Sequence, residues 1–171
     1  MSEKDTTASS TPTPAPSPME LVLQFHHTYS VPIRPFSDPT LDYERMNMRM
    51  SLIAEEFAEL MGAVYGPRAR AIIEAATAEA VAADEGERDV IEAADALADL
   101  VYVVYGMAIE SGMNLDSVLA EVQASNLSKL MPDGSVKLRE DGKVLKGPNF
   151  FQPNIARGLG LESPTDRGEA D

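Results

Sequence analysis

The chain has 171 residues, with 28 Asp and Glu against 14 Lys and Arg, and a formal net charge of −14. This length is enough for one domain with its own core. The acidic balance argues against a general nucleic-acid binder, which needs a basic patch. The absence of cysteine excludes disulfides, thiolate zinc sites and cysteine nucleophiles. The two histidines, His26 and His27, are adjacent, which argues against a His-rich transition-metal site.

The sequence shows no pattern typical of membrane insertion or secretion. No apolar run approaches the ~20 residues of a membrane span. The first residues lack the basic and apolar regions of a secretory signal. We therefore expect a cytoplasmic protein with no membrane partner.

The chain is predicted to divide into a tail, a helical domain and a second tail. Residues 1–18 are rich in Ser, Thr and Pro and are predicted to be a disordered tail. Residues 19–157 are the predicted domain, and residues 158–171 are a polar C-terminal tail. The spacing of apolar residues and helix breakers predicts helices over residues 19–29, 42–65, 68–84, 87–111 and 115–127.

After the last of these helices the pattern becomes alternating. Residues 135–146 alternate apolar and polar side chains around Asp141 and Gly142, which is the signal of a two-residue hairpin turn. We therefore predict an all-α fold with a short C-terminal β-hairpin.

The predicted helix over residues 42–65 has two distinct sides, placed by a turn of about 100° per residue. One side is an ordinary apolar core stripe, formed by Met46, Met50, Ile53, Phe57, Leu60 and Val64. A different side runs from basic to acidic through Arg45, Arg49, Leu52, Glu56 and Glu59, with Glu55 on its edge.

The predicted helix over residues 87–111 repeats this design. Its acidic face comprises Glu92, Asp95, Asp99 and Tyr102. Roughly opposite lie the apolar residues Val90, Leu97, Leu100, Val101 and Val104. Because this helix is mostly apolar, we expect its few charges to be semi-buried.

The two acidic clusters have two interpretations. Charge runs on helices are usually solvated faces. However, like charges at i, i+3 and i+4 repel, neither cluster alternates with Lys at i+4, and a buried unpaired carboxylate is costly unless a metal ion offsets the cost. Two such faces brought together would offer the hard oxygen ligands that Mg²⁺ prefers, and Mg²⁺ would hold a polyphosphate.

Basic residues concentrate in and just before the predicted hairpin. They are Lys129, Lys137, Arg139, Lys143 and Lys146. The pattern fits an element that faces an anion, and it fits equally a charged edge ribbon that resists aggregation.

Several segments together resemble the all-α NTP pyrophosphohydrolase superfamily, which includes MazG-like proteins, dimeric dUTPases and phosphoribosyl-ATP pyrophosphohydrolases. The segments are 49–56 with its E-E-x-x-E continuation, 92–106 with E-x-x-D, 125–130, and 141–150. The resemblance covers roughly residues 21–155 and is closer to the MazG-like proteins.

The resemblance implies a helical bundle completed by association into a homodimer or homotetramer. It implies Mg²⁺-dependent cleavage, with Mn²⁺ as a substitute, between the α- and β-phosphates of a nucleoside triphosphate. The implied metal ligands are Glu55, Glu56, Glu59, Glu92, Asp95 and Asp99. Many members place a Glu where this chain has Ala96, so Asp95 and Asp99 both remain candidates for the aspartate ligand.

The resemblance also implies residues that contact substrate. Asn126 and Lys129 match positions for phosphate contact, and Lys143 and Lys146 match less closely.

Metal-dependent hydrolysis of a nucleoside triphosphate would give further roles to residues of the two helices. Glu55 or Glu56 would orient or deprotonate the attacking water. Arg49 would neutralise phosphate charge, and Tyr102 would stack on or hydrogen-bond to the base.

The preferred function is nucleotide-pool house-cleaning on dUTP or a non-standard nucleotide. Phosphoribosyl-ATP hydrolysis is one alternative, and a non-catalytic metal-binding helical oligomer is an alternative of another class. A di-iron bundle is disfavoured because it needs Glu-x-x-His pairs, and no histidine follows residue 27. The sequence contains no P-loop, so a Walker-type ATPase is not supported.

Overall fold

The computed structural model describes residues 15–138 and 143–161. It confirms the all-α prediction. The helices are α1 (Pro18–Thr28), α2 (Met46–Tyr65), α3 (Pro67–Ala82), α4 (Val90–Glu110), α5 (Leu115–Leu127) and α6 (Ile155–Gly158). None of the helices in the described residues combines the length and the hydropathy that a membrane span requires.

The helix ends follow local capping chemistry. Ser17 caps α1 in a reciprocal capping box with Glu20, and Pro18 occupies the first turn. Asn114 caps α5 by accepting a hydrogen bond from the Ser117 amide. Helix α2 ends at Tyr65 and is capped by Gly66, whose φ of 96° is accessible to glycine but strained for other residues.

The structure describes little of the two predicted tails, and it contains one helix that the sequence did not predict. Most of the tail predicted over residues 1–18 and most of that over residues 158–171 lie outside the described residues. Helix α6 was not predicted. It begins where the Asn154 side chain accepts from the Arg157 amide.

The predicted hairpin is described only in its flanks. Leu138 and Val144 form an antiparallel bridge, and the Leu145 amide donates to the Lys137 carbonyl at 2.7 Å. The turn at Asp141 and Gly142 lies outside the described residues.

The chain separates into two compact units, Met1–Ile33 with Val104–Asp171, and Arg34–Val103. In the first unit, α5 packs against both α1 and α6. Arg157 reaches from α6 to Glu121 on α5 at 2.6 Å, and Gln123 donates to Gln24 of α1 at 2.9 Å.

In the second unit, α2 packs against α3. The two helices approach closely at Gly62, where an added Cβ would lie 3.1 Å from Cβ of Arg70.

The core-stripe prediction for α2 is wrong within a single chain. Met50, Ile53, Phe57, Leu60 and Val64 are all exposed, whereas Ala58 is fully buried. The α2–α3 contact therefore uses a side of α2 other than the apolar stripe, and the stripe lies at the surface.

Helix α4 shows the same departure. Its predicted apolar side is exposed at Leu97, Leu100, Val101 and Val104, with Val101 59% accessible. Among the described apolar residues, only Tyr29, Ala58 and Ala108 are buried.

The cap of α4 leads to a first prediction. The Asp89 carboxylate accepts hydrogen bonds from the amides of Ile91 and Glu92 at 2.9 and 3.0 Å. We expect Asp89→Ala to lower the free energy of unfolding by about 1 kcal/mol, because the two amides lose their acceptor. Thermal unfolding followed by circular dichroism measures this, with Glu87→Ala as the control. Equal stability of the two variants would show that the cap contributes nothing.

Candidate active site

The first acidic cluster lies at the middle of α2. Glu55, Glu56 and Glu59 are all exposed there. Glu59 lies 3.2 Å from the Arg70 guanidinium of α3. The helix therefore presents three carboxylates at the surface, and α3 brings an arginine to one of them.

The second acidic cluster lies on the first half of α4, beyond the Asp89 cap. Glu92, Asp95 and Asp99 are exposed. The expectation that they are semi-buried is wrong for the single chain, because the apolar side of α4 is itself uncovered. Tyr102 on the same face is 80% accessible.

Carboxylate oxygens are the ligand type that Mg²⁺ prefers, so the chemistry of the six side chains fits this ion. Their arrangement in one chain does not complete a site. Across residues 15–138 and 143–161, no three His, Asp or Glu side chains lie close enough to hold a metal ion. The structure thus places both clusters on exposed helix faces but does not bring them together.

Three of the residues predicted to contact phosphate, Asn126, Lys129 and Lys146, lie in the unit that comprises residues 1–33 and 104–171. Lys129 donates to the Asn126 side-chain oxygen at 2.6 Å. Desolvation lowers the pKa of Lys129, and the charge of Lys146 lowers it further. An anion beside Lys129 would favour its charged form and so raise its pKa.

Lys146 is positioned by an aromatic ring. Its ammonium lies 4.3 Å from the centre of the Phe150 ring. The neighbouring Gly147 amide donates to the Lys129 carbonyl at 3.0 Å, and an added Cβ at Gly147 would lie 2.3 Å from the Leu130 oxygen. A side chain at Gly147 would therefore separate the segment bearing Lys146 from Lys129.

Arg49 is half-buried on α2 and Lys143 is half-buried beside the bridge. Their roles in substrate binding stay predictions.

Tyr29, which was not among the residues predicted to form the site, supports the segment that carries Asn126 and Lys129. Tyr29, only 2% accessible, donates to the carbonyls of Asn126 and Leu127 at 2.7 and 3.1 Å. Its ring lies 4.5 Å from that of Phe25. The spacing of nearly a hundred residues leaves no local signal for this contact.

A family model described as phosphoribosyl-ATP pyrophosphohydrolase matches residues 22–126, a span that includes both acidic clusters. None of the curated proteins compared with the chain matches it.

A crystal structure from Exiguobacterium sp. 255-15, of a protein provisionally assigned as an NTP pyrophosphohydrolase, is similar in fold. The TM-score is 0.65 at 26% sequence identity, covering 85% of this chain and 95% of that chain.

The helical fold and the two matches define an all-α hydrolase of the pyrophosphohydrolase class. Since the family model matches more than half of the chain, the chain belongs to the phosphoribosyl-ATP pyrophosphohydrolase family. The superfamily resemblance read from the sequence is thereby confirmed.

Proposed function

We propose that this protein is a Mg²⁺-dependent nucleoside triphosphate pyrophosphohydrolase that yields a nucleoside monophosphate and pyrophosphate. The observation that carries the proposal is the family match, which spans both carboxylate-bearing helices in one continuous stretch of 22–126. The preferred substrate is dUTP or a non-standard nucleotide, a house-cleaning role.

The proposed metal ligands are Glu55, Glu56, Glu59, Glu92, Asp95 and Asp99. Bound Mg²⁺, or Mn²⁺ in its place, would supply charge neutralisation at the phosphates and a more acidic bound water. Among the chain's own groups, the carboxylate of Glu55 or Glu56 orients the water and accepts its proton.

Other residues of the chain are proposed to bind the phosphates. Lys129 and Asn126 offer an ammonium and an amide to phosphate oxygens, and charge-assisted hydrogen bonds of this kind are the stronger ones. Lys143, Lys146 and Arg49 would add positive charge. Tyr102, exposed on α4, would contact the base.

We also propose that the active protein is a homodimer or homotetramer. The apolar sides of α2 and α4 are exposed, including Phe57 at 47% and Val101 at 59% accessibility. An uncovered apolar surface of this extent marks an interaction face, and association would also supply a way to close the incomplete carboxylate site.

Pyrophosphate release from a panel of NTPs, dNTPs and phosphoribosyl-ATP, with Mg²⁺ and with EDTA, tests the proposal. We expect metal-dependent release with dUTP or a modified nucleotide turned over fastest. Fastest turnover of phosphoribosyl-ATP would favour the alternative that the family name suggests. No release from any of them by folded protein would contradict the enzymatic function and favour a non-catalytic metal-binding oligomer.

Lys129 gives a second prediction. We expect Lys129→Met to reduce kcat/KM roughly 10- to 100-fold, because a hydrogen bond to a charged phosphate contributes about 1.5–3 kcal/mol. The control is Lys137→Met, which removes the same charge from an exposed position. Equal kinetics of the two variants would remove Lys129 from the phosphate site.

The pH dependence of phosphate binding provides an independent check. Burial lowers the pKa of Lys129 from 10.5. Its ammonium group therefore loses its proton at a lower pH than that of an ordinary lysine. Affinity for tripolyphosphate without metal should therefore fall as the pH rises toward 10.5, and calorimetric titration measures it. In Lys129→Met this fall should be reduced.

A further inference from the structure

Arg70 of α3 joins one of the proposed metal ligands to a second carboxylate. Its Nε donates to Glu74 at 2.8 Å, and its Nη2 lies 3.2 Å from Oε1 of Glu59. All three side chains are close to half accessible. The guanidinium thus lies between two carboxylates, one on each helix.

The position of Arg70 is fixed by the packing of α3 on α2. Gly62 lies one turn beyond Glu59, and its missing side chain leaves room for the stem of Arg70, whose Cβ would lie 3.1 Å from an added Cβ. From there the guanidinium reaches back to Glu59. Glu74, one turn along α3, accepts from Nε and limits the remaining rotamers.

The charge that Arg70 carries does not depend on pH in the working range. The hydrogen bond to Glu74 raises the pKa of Arg70 above its already high ordinary value, and the charge of Glu59 contributes. Glu59 stands at i+3 from Glu56 and i+4 from Glu55, spacings at which like charges repel. A permanent cation beside Glu59 relieves part of this repulsion.

We propose that Arg70 is an internal counter-cation of Glu59 that competes with a divalent cation for this carboxylate. The proposal rests on the proposed function, because it takes Glu59 as a ligand. An ion at Oε1 would lie only a few ångströms from a guanidinium that already contacts the same oxygen. Their repulsion weakens ion binding. When no ion is bound, the arginine stabilises the acidic face of α2.

The repulsion sets the size of the effect. A divalent and a monovalent charge about 5 Å apart in a largely aqueous setting, screened by salt, change binding by roughly threefold to tenfold. We therefore expect Arg70→Met to bind Mn²⁺ threefold to tenfold more tightly than the unmodified protein. Methionine keeps an unbranched stem over Gly62 and removes only the charge.

Two further variants separate the local effect from net charge. Arg70→Lys keeps the charge and should bind Mn²⁺ within about twofold of the unmodified protein. Arg68→Met removes the same charge from an exposed position two residues earlier, and should leave the affinity unchanged. The readout is free Mn²⁺ measured by electron paramagnetic resonance on the full chain without nucleotide, with circular dichroism to verify folding.

A second readout is thermal stability. In EDTA, Arg70→Met should unfold at a lower temperature than Arg70→Lys, and added Mn²⁺ should raise its Tm by more than that of the unmodified protein. A role confined to helix packing would lower the Tm of Arg70→Met equally with and without Mn²⁺.

The outcomes distinguish the two proposals. If the unmodified protein binds Mn²⁺ and folded Arg70→Met binds it equally or more weakly, competition by Arg70 is overturned while the metal-dependent function stands. If neither the unmodified protein nor Arg68→Met binds Mn²⁺, the proposed metal site fails, and the role of Arg70 fails with it.

Discussion

Replacing Glu56 by glutamine should reduce kcat for pyrophosphate release by roughly 10²–10⁴-fold. The change removes one negative charge and one proton acceptor but keeps the size of the side chain. If Glu56 accepts a proton from the attacking water, losing it removes general-base catalysis of about this magnitude. If it is a metal ligand instead, weaker Mg²⁺ binding lowers the rate until the Mg²⁺ concentration is raised.

The measurement is single-turnover hydrolysis of the best substrate across a series of Mg²⁺ concentrations. Rescue by high Mg²⁺ would assign Glu56 to the metal, and failure of rescue would assign it to the water. Glu79→Gln is the matched control, because Glu79 is also an exposed glutamate on a helix but lies outside both clusters. Full activity of Glu56→Gln would exclude both roles.

Glu55→Gln should be measured beside it, since the sequence does not decide which of the two carboxylates acts on the water. Adjacent helix positions differ by about 100°, so both cannot point equally toward one site. The variant with the larger loss that Mg²⁺ does not rescue identifies the base.

The parts of the fold that the sequence predicts are those governed by local chemistry. The described α5 has the predicted bounds of 115–127, because Asn114 caps its first turn. Helix α2 begins at Met46 instead of residue 42, since local turns precede it. In these turns the Asp42 amide donates to the Thr40 hydroxyl oxygen, and the Met46 amide donates to the Tyr43 carbonyl. Such bonds compete with the helix and carry no periodic signal.

In the candidate site, likewise, the sequence predicts the local arrangement of residues but not the contacts between helices. Helical periodicity placed the acidic residues of α2 on one face, and the family match spans them. The contact of Arg70 with Glu59 joins two helices, and that of Tyr29 with Asn126 joins residues 97 positions apart. Which residues meet there depends on how the helices pack, and the sequence pattern alone does not specify that packing.

The burial prediction failed because helical periodicity identifies an apolar side of a helix but not the surface that covers it. Periodicity correctly separates an apolar from a polar side of α2 and α4, but it does not say whether the covering surface belongs to the same chain. Only Tyr29, Ala58 and Ala108 are buried apolar residues in the part of the chain that the structure describes. A domain of this length needs far more buried surface for independent stability.

Leu100→Asp should therefore break the proposed oligomer and abolish most of the activity. Leu100 lies on the apolar side of α4 and is 45% accessible in one chain. If a second copy covers it, the new carboxylate would be buried without a partner, which costs several kcal/mol. The carboxylate clusters would then lose the association that we propose completes them.

Size-exclusion chromatography with light scattering and the hydrolysis assay measure both consequences on the same samples. The matched control is Ala75→Asp, which adds the same charge at an exposed position of α3 and should leave mass and rate unchanged. A Leu100→Asp monomer that keeps full activity would show that each chain closes its own carboxylate site. An unaltered oligomer would show that Leu100 stays in solvent and that association uses another face, such as the exposed stripe of α2 around Phe57.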